Sequence, residues 1–152
     1  MCSVTYSNKL KKLQYFEVNC ELIGEVIAEF KGMQTGSRVL ADGKLEGSST
    51  GSGSIMGKEA MQMDTAVLTP MPNGALMIEG NVMIMTAEGE TVMVKNEGIG
   101  WVAGKGFKSS GRGACFFMTS SPKLASLNKT VGVWEREADE KGDFSIKIWA
   151  WT

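Results

Sequence analysis

Short apolar stretches alternate with polar residues along most of the chain, and glycine interrupts them at short intervals. That pattern predicts many short strands joined by tight turns. The middle is the most regular part. Residues 60–69 read as a strand, Pro70-Met71-Pro72-Asn73-Gly74 as a turn and 75–86 as a second strand. Ala87-Glu88-Gly89-Glu90 reads as the next turn and 91–97 as a third strand. Asn-Gly is a strong hairpin signal because both residues tolerate positive φ. The simplest registers set Gln62 opposite Met85 and Val82 opposite Lys95. They put Met61, Met63, Thr65, Val67, Ile78, Val82, Ile84, Met93, Lys95 and Glu97 on one face. Gln62, Asp64, Ala66, Leu68, Glu79, Asn81, Met83, Met85, Val92, Val94 and Asn96 take the other. The first face is the more apolar and is expected to point inward, and a one-residue slip in either hairpin would reverse part of this assignment.

Elsewhere Tyr15–Ile23 alternates well, and 25–31, 37–46, Trp101–Lys108, Arg112–Thr119, Thr130–Ala138 and Asp143–Trp151 read as further strands. Gly51-Ser52-Gly53-Ser54 and Ser109-Ser110-Gly111 look like turns, and residues 6–13 like a short N-terminal helix. Ser120–Asn128 is the convincing interior helix. Ser120 or Ser121 can cap it, Pro122 suits its first turn, and Leu124 and Leu127 share a face. The fold expected is all-β: a closed antiparallel meander barrel of eight to ten strands, with one short helix before the last hairpin. Residues 1–152 are expected to form a single domain.

Charge and composition narrow the function by exclusion. With 16 basic and 17 acidic residues the net charge is −1, which argues against a nucleic-acid or anionic-membrane surface. No 18-residue apolar run marks a transmembrane helix, and the N-terminus lacks signal-peptide features, so a cytoplasmic location is expected. Three well-separated cysteines, Cys2, Cys20 and Cys115, suit reduced thiols. The chain contains no histidine. That excludes Ser-His-Asp and Cys-His nucleophile systems and removes the usual general base near neutral pH.

Few motifs survive their context. Gly98-Ile99-Gly100-Trp101-Val102-Ala103 has the letters of a dinucleotide fingerprint, but Gly104-Lys105-Gly106 follows where a helix is needed. Gly57-Lys58-Glu59 lacks the Ser/Thr of a phosphate loop. No cofactor or metal is indicated. Eleven methionines are unusual, and they serve either as core filler or as an adaptable ligand-cavity lining. Met63 and Met93 share the favoured face with Lys95 and Glu97, and apolar walls with a few polar groups are the common form of a ligand site. Glu79 or Glu97 would gain a raised pKa in an apolar lumen and could move a proton; the competing reading is a solvated outward carboxylate. Arg112 could take a ligand carboxylate or pair with a neighbouring strand's glutamate. Cys115 reads as a small buried hydrophobe, and Trp134, Trp149 and Trp151 as packing anchors.

One resemblance adds to this reading. The segments Gly98-Ile99-Gly100, Gly104-Lys105-Gly106, Gly111-Arg112-Gly113-Ala114, Thr119-Ser120-Ser121-Pro122-Lys123-Leu124-Ala125-Ser126-Leu127-Asn128, Val131-Gly132-Val133-Trp134-Glu135 and Lys147-Ile148-Trp149-Ala150-Trp151 resemble a family of uncharacterised small microbial proteins. Glu79-Gly80 and Thr86-Ala87-Glu88-Gly89-Glu90 look like it too. The layout is also similar to small eight-stranded barrels such as allene oxide cyclase and lipocalin-like proteins, on architecture alone. Neither resemblance implies a catalytic motif, and a shared fold does not fix function. The expectation is a barrel that binds a small apolar or amphipathic molecule through Tyr15, Met63, Glu79, Met93, Lys95, Glu97, Trp101 and Arg112. The alternatives are a cofactor-independent isomerase or cyclase using a buried Glu or Tyr15, and a structural barrel with no ligand. A homo-oligomer is expected, with no nucleic-acid or membrane partner.

Overall fold

The computed structural model describes residues 3–6, 16–19 and 23–152. Strands β1 (Ser3–Tyr6) and β2 (Phe16–Asn19) pair antiparallel with each other. The next eight strands are β3 (Ile23–Val39), β4 (Leu45–Ile55), β5 (Lys58–Pro70), β6 (Leu76–Thr86), β7 (Thr91–Val102), β8 (Ser109–Met118), β9 (Val131–Ala138) and β10 (Asp143–Trp151). Each pairs antiparallel with the next, and β10 returns to β3, so the meander closes into a barrel. A short 3-10 helix, Pro122–Lys129, precedes the last hairpin. The expected fold class is therefore observed. The sequence-based helix at 6–13 meets β1 at Tyr6, and residues 7–13 lie outside the described residues.

The registers differ from the simplest ones by one residue. Gln62 pairs with Ile84 and Val82 with Val94. The cause is the turn type. In place of a two-residue turn, each hairpin closes on three residues ending in a left-handed glycine. Gly74 has φ 82° and Gly89 has φ 87°. Met71 N–H bonds Ala75 O and Gly74 N–H bonds Met71 O; Thr86 N–H bonds Glu90 O and Gly89 N–H bonds Thr86 O. This is a type I turn followed by a residue in the left-handed region. One extra loop residue flips every β6 side chain relative to β5, and again at β7. The inward face is therefore Gln62, Asp64, Ala66, Leu68, Ile78, Val82, Ile84, Val92, Val94 and Asn96. Met61, Met63, Met93, Lys95 and Glu97, expected inside, lie outside.

Two segments where glycine suggests a turn are strand instead. Gly51 and Gly53 sit within β4, and Ser109, Ser110 and Gly111 begin β8. Residues 37–46 are not one strand: Val39 ends β3 and Leu45 begins β4. Residues 103–108 are not strand either, since β7 ends at Val102.

These glycines belong to the interior. Gly51, Gly53, Gly98, Gly100, Gly111 and Gly113 occupy inward positions at two-residue spacing. With no side chains there, the space goes to large residues from other strands. Trp134 on β9 is almost fully buried, and its Nε1 donates to Ala114 O at 3.2 Å. Phe30, Ile55, Ile84, Val92 and Cys115 fill one end together with Leu124 and Leu127 of the helix. Glu88 holds that helix to the barrel through Lys123 and Lys58, each at 2.8 Å, while Ser121 Oγ donates to Glu90 at 3.2 Å. The expected cap position is thus Ser121, although its hydroxyl serves Glu90 and not the helix backbone.

A walk along paired residues measures how the barrel is wound. It runs from Ala60 through Gly53, Phe30, Ile146, Arg136, Gly111, Gly100 and Leu76, and returns to β5 at Pro70. The return point lies ten residues from the start. A shear of that size in eight strands corresponds to a strand tilt of about 40°. Barrels of eight strands have an interior that is either filled by side chains or holds one small ligand.

Candidate functional site

Among the described residues, two charged side chains, those of Asp64 and Arg136, project into the middle of the lumen. Asp64 projects from β5 and Arg136 from β9, four strands away either way round the barrel. The winding brings them level, because the middle of the walk from Ala60 to Pro70 is close to Asp64 and the same walk passes through Arg136. They face each other from opposite walls.

Each wall holds its charge differently. The buried Ser49 hydroxyl donates to Asp64 Oδ2 at 2.5 Å, and buried Gln62 Nε2 donates to the same oxygen at 3.1 Å. Oδ1 carries no hydrogen bond among the described residues. Burial pushes the Asp64 carboxyl above its ordinary pKa, and the Ser49 hydroxyl, the Arg136 charge and the Gln62 amide pull it back only in part. The Arg136 guanidinium lies over the Phe144 ring, 4.4 Å from its centroid. Among the described residues it makes no ion pair within 4 Å and no side-chain hydrogen bond, although guanidinium carries five donors. Burial lowers its pKa and the Asp64 charge opposes that. A third polar group, Asn96 on β7, has a fully enclosed Oδ1 without a partner, the one such atom among the described residues. Asp64 and Arg136 keep solvent-reachable atoms by comparison. Partly buried Leu68, Ile78 and Ala66 share their inward face.

The raised pKa sets a sign for pH dependence. The folded state holds the Asp64 proton more tightly than the unfolded chain, whose carboxyl titrates near 3.8. The resulting stability is complete below that value and is lost as pH rises through the folded pKa. Glu88 works the opposite way. Lys123 and Lys58 lower its pKa to about 2, so its contribution is present above 4.5 and lost on acidification. That exposed cluster is screened by salt. Urea unfolding of Asp64→Asn and the parent from pH 3 to 8 should therefore show the parent losing ground as pH rises from 3.8 through the folded Asp64 pKa, and running level above it. Parallel curves would refute a buried, proton-holding Asp64.

The residues predicted from the sequence fall elsewhere. Met63 and Met93 lie on the outer wall, each 43% exposed. Glu79 and Glu97 are exposed on the outer face and pair directly across β6 and β7. Lys95 relieves that like-charge contact, with Nζ 3.2 Å from Glu97 Oε1. None of these carboxylates can be the buried acid, because the three-residue turns place them outside. Arg112 pairs with Glu135 at 3.2 Å, the competing reading for that residue, and lies 6.0 Å from the Trp101 ring. Together with Trp149 and Ile23, Arg112 borders an outer groove of about 390 Å³ whose floor is Gly113 and Trp134. A second concavity, of about 600 Å³, lies by Lys31, Lys108, Asp143 and Phe144. Tyr15 lies outside the described residues. Cys115 is a buried hydrophobe as expected, and burial pushes its thiol up to about 12.

Among the described residues no group of three or more acidic or thiol side chains is placed to hold a metal ion. No helix there is long and apolar enough to cross a membrane. No protein-family model matches the sequence, and no curated protein matches it either. The solved structures do. A protein of unknown function from Rhodopseudomonas palustris superposes with TM-score 0.71 at 14% identity, covering 87% of this chain and 99% of its own. A beta-barrel-like protein from Acinetobacter baumannii gives TM-score 0.71 at 15% identity, with 88% and 99% covered. A structure described as an enzyme from Penicillium herquei gives TM-score 0.61 at 16% identity, with 88% and 98% covered. At such identities the likeness shows the fold alone, so the chain is a β-barrel protein built like small microbial barrels of unknown function.

Proposed function

We propose that the barrel binds a small amphipathic molecule in its lumen, with an anionic or strongly hydrogen-bond-accepting head held by Arg136. One observation carries the reading: a positive and a negative side chain face each other inside the barrel without closing into an ion pair. Taking two charges partly out of water costs several kcal/mol, which a contact pair with good hydrogen bonds would offset. Among the described residues the guanidinium donors and one carboxyl oxygen have no partner, which leaves them for a ligand head. Perturbed groups of this kind concentrate at functional sites. The apolar walls at Leu68, Ile78 and Ala66 suit the rest of an amphipathic ligand.

The test uses a fluorescent anilinonaphthalene sulfonate as an anionic aromatic probe. Arg136→Met should weaken its binding about tenfold or more, since a hydrogen bond to a buried charged group is worth about 1.5–3 kcal/mol. Arg112→Met, on the outer wall, should leave binding unchanged. Equal affinity in the Arg136→Met protein and the parent sinks the proposal.

A second reading has a specific support. Burial raises the Asp64 pKa above that of an ordinary carboxyl, and a carboxyl acid that holds its proton in a partly dry site is the kind of acid–base group a cofactor-independent isomerase or cyclase uses. The Penicillium herquei neighbour is described as an enzyme. In this reading Asp64, and not Glu79 or Glu97, is the acid–base group.

A further inference from the structure

Strands β1 and β2 form a sheet of their own, outside the barrel sheet. Their register pairs Val4 with Val18 and Tyr6 with Phe16, which places these four apolar residues on one face of the hairpin. Ser3, Thr5, Glu17 and Asn19 share the other face. A two-stranded hairpin is marginal alone in water and needs a surface to pack against. The closed barrel has no free strand edge, so the hairpin cannot join it as two more strands. It has to use a face.

The chain limits which face. Three residues separate Asn19 from Ile23, where β3 begins. Fully extended, that link reaches about 14 Å. Ile23 itself borders the outer groove of about 390 Å³, together with Val133 and Trp149. Around the groove two apolar rows cross the wall. Val26 pairs with Trp149, Trp149 with Val133 and Val133 with Ala114. In the row beyond, Ile23 pairs with Trp151 and Val131 with Phe116. Ile23 is 56% exposed and Trp151 55%. The helix that closes this end of the barrel exposes Lys123, Ser126, Asn128 and Lys129, a polar surface by contrast.

We propose that the hairpin of β1 and β2 lays its apolar face on this outer patch of β3, β10, β9 and β8 in the same chain. The sizes agree. A hairpin strand of four residues is about 13 Å long, and four barrel strands about 4.8 Å apart set β3 about 14 Å from β8. Two hairpin strands lying across the wall therefore match two rows of apolar residues. The charges agree as well. Next to the patch, Glu29 pairs with Lys147 and Glu135 with Arg112, and Glu97 beside Ala114 pairs with Lys95. Exposed Glu25, next to Val26, leaves the border negative by one. The segment before Ile23 carries Lys9, Lys11 and Lys12 against Glu17 and Glu21, and so is positive by one.

Hydrogen–deuterium exchange of the full chain, read by mass spectrometry, tests this. Docking should slow the β1 and β2 amides about tenfold or more below free-peptide rates, and dilution from about 100 to about 1 μM should not change that. Trp149→Asp should return them to free-peptide rates while the β5 to β7 amides stay protected. If Trp149→Asp disturbs the barrel, Phe16→Asp takes its place, since Phe16 lies outside the barrel sheet. It should release the same amides and, by uncovering Trp149 and Trp151, shift the indole emission to the red. Free-peptide exchange of β1 and β2 in the parent overturns the proposal. So does protection that falls on dilution, which would put the hairpin on a second copy. Protection that survives Trp149→Asp in a folded barrel, or an unchanged emission in Phe16→Asp, overturns it too.

Discussion

Replacing Trp134 with alanine should cost about 3–5 kcal/mol of stability, the range for removing a large buried aromatic. The indole is 3% exposed and sits between walls that cannot move in to fill its place. Its neighbours across β8 and β7 are Gly113, Gly111 and Gly98, which have no side chains to re-orient. On the other side Ile148 is held by its own pairing to Ala28. The substitution also leaves Ala114 O without its indole partner. Urea unfolding followed by circular dichroism should show a large drop in midpoint with an unchanged slope. A loss below about 1 kcal/mol would mean that the barrel wall collapses inward, contrary to the packing described.

Adding a methyl group at Gly113 should be nearly as harmful, at about 3 kcal/mol, the upper end for overpacking. A Cβ there would meet Glu97 O and the Gly98 backbone as well as Trp134 Cζ2. Backbone in a paired strand cannot step aside. Gly111 supplies the control on the same strand and the same face. Its Cβ would meet only side-chain atoms, Trp134 Cζ3 at 3.3 Å and Ile78 Cδ1 at 3.4 Å. Gly111→Ala should therefore cost far less. In a double-mutant cycle with Trp134→Ala, the Gly111 penalty should vanish while most of the Gly113 penalty persists. Equal penalties for the two glycines would show that the indole, and not strand-to-strand distance, sets the requirement.

Much of this architecture can be read from alternation. The β6 and β7 strands, the helix with Leu124 and Leu127 buried, and the closing hairpin are visible in the pattern of apolar residues. The interior is less legible, for one reason that recurs. Each of the two central hairpins has a glycine whose position in the loop decides between two and three residues, and the letters Asn73-Gly74 or Glu88-Gly89 suit both. A single residue then decides which half of every strand is lumen. Choosing the more apolar face failed because the outer face of β5 to β7 is itself apolar, rich in Met61, Met63, Met77 and Met93. A better signal was present in the glycines. Gly51 and Gly53, Gly98 and Gly100, and Gly111 and Gly113 recur at the period of a strand, and at that spacing they mark a face where backbones approach closely. Following that face along β8 to β9 leads to Trp134 and then to Arg136. Asp64 carries no comparable mark. Only the register reveals that it shares the lumen with Arg136, since the two come from opposite walls and are 72 residues apart.

The seam between β3 and β10 also governs how the chain can fold. Every other barrel pairing joins neighbours in sequence, and each can form as soon as its hairpin exists. The last pairing joins Ile23 to Trp151 across almost the entire barrel sequence. It brings the largest loop-closure entropy and belongs late in folding. During synthesis β3 emerges first among the barrel strands and waits with one bare edge until β10 follows. Its long run through Phe30 and Met33 is then open to pairing with another nascent chain. Crowded translation of this message is the condition under which aggregation should compete best with closure.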